Sequence, residues 1–138
     1  MRKILLDTSA YIAFFSGDKK VFSAISSAED IYVPAVVAGE LHSGFDVTAK
    51  GTARRREFAE FIRKPTVSIV PVIEETAEFY GKIIAALRKN GTPIPINDVW
   101  IAANAFEIGA VTVSYDKHFL KIPGLMLWDD IYSIKLKI

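Results

Sequence analysis

Four acidic side chains stand where acids are uncommon. Asp7 directly follows the apolar run Ile4-Leu5-Leu6 and precedes Thr8-Ser9. Glu40 follows the apolar segment Pro34-Ala-Val-Val-Ala-Gly39 and lies beside a Val37/Leu41/Phe45 stripe. Asp98 sits in Ile96-Asn97-Asp98-Val99-Trp100, and Asp116 directly follows Val111-Thr-Val-Ser-Tyr115. If they converge, carboxylates about 5 Å apart repel by roughly 3 kcal/mol per pair at an effective dielectric near 20. Such a group is tolerable only with a cation or with raised pKa values. Lys117 is the one basic residue directly beside any of the four. Oxygen donors, with no cysteine and only His42 and His118 in the chain, select a hard cation, Mg²⁺ or Mn²⁺. That ion polarises a phosphoryl oxygen and acidifies a water, so the chemistry indicated is metal-assisted phosphodiester hydrolysis. Each acid also has a plainer reading. Asp7 and Asp116 suit helix N-caps, Asp98 a first-turn acid, and Glu40 the solvent border of its stripe.

The elements that position these acids are short. Ile4-Leu5-Leu6, Ile31-Tyr32-Val33, Val67-Ser68-Ile69-Val70, Val111-Thr112-Val113 and Leu125-Met126-Leu127-Trp128 read as five strands. Several are near-continuously apolar, as strands buried on both faces are. Helices are predicted at about 8–15, 19–28, 34–48, 53–63, 74–89 and 97–108, with a short turn near 117–121. In the fifth of these, Ile73, Ala77, Tyr80, Ile84 and Leu87 form one apolar stripe. Glu74, Glu75 and Glu78 come early and Lys82, Arg88 and Lys89 late, which complements the helix dipole, and Asn90-Gly91 ends it. The rhythm implies an α/β fold around a mostly parallel sheet. Ligands of such sheets bind outside the carboxyl ends of the strands. Asp7, Asp98 and Asp116 fall at that edge, and Glu40 can reach it from the helix after the second strand.

At 138 residues the chain is expected to form one domain, 1–138. A hydrophobic share of 51% with 24% charged residues excludes disorder. The lack of cysteine excludes disulfide scaffolds, zinc fingers and thiol nucleophiles. A net charge of +1 means that a nucleic acid would have to be held locally, not by bulk charge. Asp7 breaks the N-terminal apolar run after three residues, and no stretch of 18 apolar residues follows. The expectation is a cytoplasmic protein with no membrane span. An Asp-x-Asp phosphotransferase site is disfavoured because Thr8-Ser9 follow Asp7, and a receiver site because the third strand runs into Pro71-Val72-Ile73. No phosphate loop and no nucleophile elbow are present, and His42 and His118 read as surface or packing residues.

At Leu5-Leu6-Asp7-Thr8-Ser9, Ala38-Gly39-Glu40-Leu41, Asn97-Asp98-Val99-Trp100-Ile101-Ala102-Ala103 and Val113-Ser114-Tyr115-Asp116-Lys117-His118-Phe119, the sequence resembles the PIN-domain family. Specifically, it is similar to the VapC-type ribonuclease toxins of type II toxin–antitoxin pairs. The order, spacing and chain length agree from first strand to last helix. The resemblance implies a three-layer α/β/α fold with a five-stranded parallel sheet in the order 3-2-1-4-5. It implies an Mg²⁺ or Mn²⁺ site of Asp7, Glu40, Asp98 and Asp116, with Asp7 and Asp98 as direct ligands. Thr8 or Ser9, Asn97 and Ser114 would hydrogen-bond around them. The implied activity is endonucleolytic RNA cleavage with water as nucleophile, blocked by a peptide segment of a cognate antitoxin, in a homodimer. Ser9 departs from the family, since many relatives carry Asn there.

Lys50, Arg54, Arg55 and Arg56, followed by Arg63-Lys64, form the densest basic stretch. They suit phosphate contacts flanking an acidic pocket, or equally a solvated helix face with an Arg56–Glu60 pair at i,i+4. Tyr11, Phe14 and Phe15 read as core or as an interface with an antitoxin or second subunit. Asp129-Asp130 reads as a solvated strand end, and Glu57 and Glu60 as partners of basic neighbours. Two other readings share the fold: an RNA-processing nuclease without an antitoxin, and a non-catalytic scaffold.

Overall fold

A computed structural model of the chain describes residues 1–133, so the last five positions of the expected domain lie outside the described residues. In chain order the elements are β1 (Lys3–Leu6), α1 (Thr8–Phe15), α2 (Lys19–Ser27), β2 (Asp30–Pro34), α3 (Ala35–Asp46) and α4 (Gly51–Ile62). There follow β3 (Val67–Val70), α5 (Glu74–Asn90), α6 (Ile96–Ile108) and β4 (Val111–Val113), then 3₁₀ turns at Lys117–Lys121 and Asp129–Tyr132. The strands pair in parallel in the order β3-β2-β1-β4, with helices flanking the sheet. Ile4 stands opposite Ile31 on one side and Val111 on the other. Ile4, Leu5 and Leu6 are fully buried, as a central strand covered on both faces requires.

The sheet has four strands, not the five expected. The segment Leu125-Met126-Leu127-Trp128 makes a single parallel bridge, Thr112 opposite Leu127. Thr112 N–H donates to the Met126 carbonyl at 2.8 Å, and Trp128 N–H to the Thr112 carbonyl at 3.1 Å. The chain reaches this point through a left-handed turn at Gly124 (φ 77°) and leaves it at Trp128 into the second 3₁₀ turn. Too few residues lie between those two events to propagate a ladder. Asp129 and Asp130 are accordingly the first turn of that 3₁₀ segment, not a strand end.

Several helix limits have a local cause. Asp7 accepts from Ala10 N–H to start α1, and Asp18 accepts from Lys20 and Val21 N–H to start α2. The α5 helix stops at Gly91, whose φ of 64° an L side chain rarely adopts. Tyr80 on α5 stacks on Trp100 of α6 at 4.0 Å, and Phe79 on Phe106 at 5.8 Å, which locks the two helices side by side. The α3–α4 corner is tight: Gly51 is buried, and a Cβ there would collide with the Phe45 carbonyl oxygen. Among the described residues no helix is long and apolar enough to cross a membrane.

Candidate active site

The parallel pairing of β1 with β4 brings together two segments that are remote in sequence. Asp7 N–H donates to the Val113 carbonyl at 3.3 Å, so the two strand ends stay aligned one residue past β1. The Asp7 carboxylate is buried, with 4% exposure, and its hydrogen bonds come from neutral groups. Ala10 N–H donates to Oδ1 at 2.8 Å, Ser9 Oγ to Oδ1 at 2.8 Å, and Ser114 Oγ to Oδ2 at 2.5 Å. Both hydroxyls are themselves fixed. Tyr115 N–H donates to Ser9 Oγ at 3.1 Å and Asp116 N–H to Ser114 Oγ at 2.8 Å. The Trp128 indole N–H holds the Ser114 carbonyl at 2.7 Å.

Burial outweighs these donors. It pushes the Asp7 carboxyl from the usual 3.8 to about 6, with the nearby Asp116 charge adding to the rise. Asp98, in the first turn of α6, is also raised, chiefly by burial and then by the Asp116 charge, while His118 opposes the shift. The Asp116 side chain caps the first 3₁₀ turn by accepting from His118 N–H at 2.9 Å. Glu40, on α3, accepts from Thr8 Oγ1 at 2.9 Å. Asp7, Glu40, Asp98 and Asp116 line one cavity of about 280 Å³, together with Thr8, Ser9, Ile12 and Ile101. At Asp7 and Asp116 the carboxylates that cap helical turns also line the cavity.

Of the expected hydrogen-bonding neighbours, Ser9 and Ser114 hold Asp7 and Thr8 holds Glu40. Asn97 is placed differently. It is exposed, lines a shallow cleft with Val36, Gly39, Glu40 and Ser43, and has no hydrogen bond to the acids among the described residues. One residue was missed. His118, expected as a surface or packing residue, sets its ring Nδ1 3.1 Å from Asp98 Oδ2 and 2.9 Å from Asp116 Oδ1. Asp98, Asp116 and His118 offer donor atoms that all lie within 4.8 Å of one another. The available signal was its spacing: a residue two positions after a capping Asp directs its backbone N–H at that carboxylate and emerges beside it.

The basic stretch divides. Arg55 is engaged by Asp46 and by His42 Nδ1, the latter at 2.9 Å, and Arg54 pairs with Glu57 at 3.1 Å. The Arg56–Glu60 pair does not form among the described residues, and both Lys50 and Arg56 are exposed. Lys50 and Arg54 line a larger, mainly apolar cavity of about 540 Å³ with Tyr11, Phe15, Leu41 and Phe45. It shares Thr8, Ile12 and Glu40 with the acidic cavity, so the two are adjoining parts of one groove.

The chain is 31% identical to ribonuclease VapC of Rickettsia bellii over 137 residues, covering 97% of this chain and 98% of that one. It is 27% identical to ribonuclease VapC5 of Mycobacterium tuberculosis over 120 residues, 87% of each. Its fold is that of the VapBC2 structure from Rickettsia felis bound to a promoter DNA fragment, with TM-score 0.80 and 22% identity over 92% of this chain and 99% of that one. VapBC-1 from nontypeable Haemophilus influenzae gives TM-score 0.80 and 24% identity over 92% and 97%. Residues 4–125 match the PIN domain, and on that extent of match the chain belongs to the PIN-domain family.

Proposed function

We propose that this protein is a Mg²⁺- or Mn²⁺-dependent endoribonuclease, the toxin of a type II toxin–antitoxin pair, acting in the cytoplasm as a single domain. The observation that carries the reading is the convergence of four carboxylates from four separate segments on one cavity beside the ends of β1 and β4. Relatives named as ribonucleases along nearly their whole length support the substrate class. The VapBC structures that share the chain's fold support an antitoxin partner.

The donor set fits a hard dication. The pKa values of Asp7 and Asp98 are both raised, chiefly by burial, and the neighbouring carboxylates that add to the rise are groups a dication neutralises. The four carboxylates would hold the ion, Asp7 and Asp98 foremost, and it would supply polarisation of the phosphoryl group and a more acidic water. The chain's own groups do the positioning. Ser9, Ser114 and Ala10 N–H fix Asp7 in one rotamer. Thr8 ties down one Glu40 oxygen, which leaves the other to take a proton from the attacking water. Lys50 and Arg54 offset the repulsion between acids and phosphates along the groove. The apolar part of the groove, with Tyr11, Phe15 and Phe45, suits an antitoxin segment whose Arg or Lys reaches the acids. A second copy of the chain completes the assembly as a homodimer.

The test is cleavage of RNA with Mg²⁺ or Mn²⁺, against EDTA and against Asp7→Asn and Asp98→Asn. Chelation and either substitution are expected to lower the rate at least about 100-fold. Equal cleavage by mutant and parent would sink the assignment.

A further inference from the structure

We infer that His118 is a ligand of the cation: its Nδ1 occupies a coordination position next to Asp98 and Asp116, and this imidazole biases the site toward Mn²⁺ over Mg²⁺. The inference rests on the metal-dependent reading above and adds to it a nitrogen donor that an all-carboxylate site lacks.

The geometry is specific. Nδ1 lies 3.1 Å from Asp98 Oδ2 and 2.9 Å from Asp116 Oδ1. In an octahedral site with bonds of about 2.1 Å, adjacent donors stand about 3 Å apart, so these are the separations of neighbouring vertices. The ring is also held in place. The His118 backbone N–H is bound to Asp116, and the next residue, Phe119, is fully buried, which anchors the 3₁₀ turn. With the ring 43% exposed, Nε2 can meet water while Nδ1 faces the two oxygens. Donor chemistry then sets the preference. Mg²⁺ favours carboxylate and water oxygens and gains little from imidazole, whereas imidazole suits the transition metals.

The alternative is that His118 only clamps Asp98 and Asp116 by hydrogen bonds, with Nδ1 keeping its hydrogen. The experiment uses the full chain with Mn²⁺ and Mg²⁺ as probes. Each ion is titrated by calorimetry into the parent, His118→Gln and Asp98→Asn, and the Mn²⁺-loaded parent and His118→Gln are examined by pulsed electron paramagnetic resonance. The parent is expected to show hyperfine coupling to a directly bound nitrogen that changes when isotope-labelled histidine is incorporated and persists in His42→Gln. His118→Gln is expected to lose the coupling and to bind Mn²⁺ about 10-fold more weakly, with Mg²⁺ affinity altered less than about twofold. Asp98→Asn is expected to weaken both ions. Mn²⁺ bound to the parent without nitrogen coupling overturns the role of His118 and leaves the metal-dependent nuclease standing. Failure of the parent to bind either ion overturns both. The labelled parent decides the matter even if His118→Gln does not fold.

Discussion

Two polar networks in this molecule hold a carboxylate with neutral donors, to opposite ends. In one, Thr76 Oγ1 donates to Glu107, and Asn104 Nδ2 donates to the Pro71 carbonyl at 3.1 Å and to Glu107 at 3.5 Å. Thr76 and Asn104 are completely buried, and the network staples the loop after β3 to α6. In the other, two serine hydroxyls and a backbone N–H hold Asp7, but Asp98, Asp116 and Glu40 share the cavity. A lone carboxylate met by neutral donors is a structural fastening. Carboxylates gathered behind similar donors add to the rise that burial imposes, as Asp116 does for Asp7 and Asp98.

The comparison is sharpest in activity. Asp7→Asn should abolish RNA cleavage by at least about 100-fold, whereas Glu107→Gln should leave the rate within about twofold of the parent, since the staple takes no part in positioning the acids. A large rate loss in Glu107→Gln would erase the distinction. Ser114→Ala should lower the rate by about 10- to 100-fold by freeing Asp7 Oδ2 and the Asp116 N–H, with circular dichroism unchanged.

Stability should divide the two networks by sign. Folded Asp7 keeps its proton up to about pH 6, whereas the unfolded chain releases it near 3.8, so between those values the fold binds more protons. The stability associated with the neutral carboxyl is therefore full below about pH 4 and is lost as pH rises to about 6, by roughly 3 kcal/mol. Metal-free Asp7→Asn should lack this decline and be the more stable protein at pH 8. Denaturant melts of both proteins at pH 4 and pH 8 in EDTA measure it, and parallel pH profiles would contradict it. Thr76→Val should instead lose about 1–3 kcal/mol by leaving Glu107 and Ile73 N–H without the hydroxyl.

The smallest effect concerns the basic stretch. Lys50→Ala should reduce the salt dependence of RNA binding by about 0.7 in log–log slope. Arg55→Ala, already committed to Asp46 and His42, should change melting and not that slope. Identical slopes for the parent and Lys50→Ala would remove Lys50 from the RNA path.

The fold was legible because its signals are local and strong. Apolar runs of three or four residues flanked by helical periodicity fix β1 to β4, and helix limits fall within two residues of those predicted. The segment 125–128 misled because apolar content reveals a buried stretch, not the number of residues free to pair beside β4. Asp7 and Asp116 could be placed from strand ends, since a parallel sheet puts those ends on one edge, whereas Glu40 and Asp98 stand on helices α3 and α6. His118 and the arginine partners could not be placed. Which carboxylate a ring or guanidinium meets depends on the rotation of a 3₁₀ turn and the crossing of α3 with α4, as when Arg55 reaches Asp46 on the neighbouring helix.

The bond between Ser114 and Asp7 spans 107 residues. During synthesis the amino-terminal half of the cavity leaves the ribosome long before the strand that closes it. Until β4 docks along β1, Asp7 lacks its Ser114 donor and Asp116 is missing from the edge. Closure of the acidic cavity thus waits on the carboxyl-terminal part of the chain.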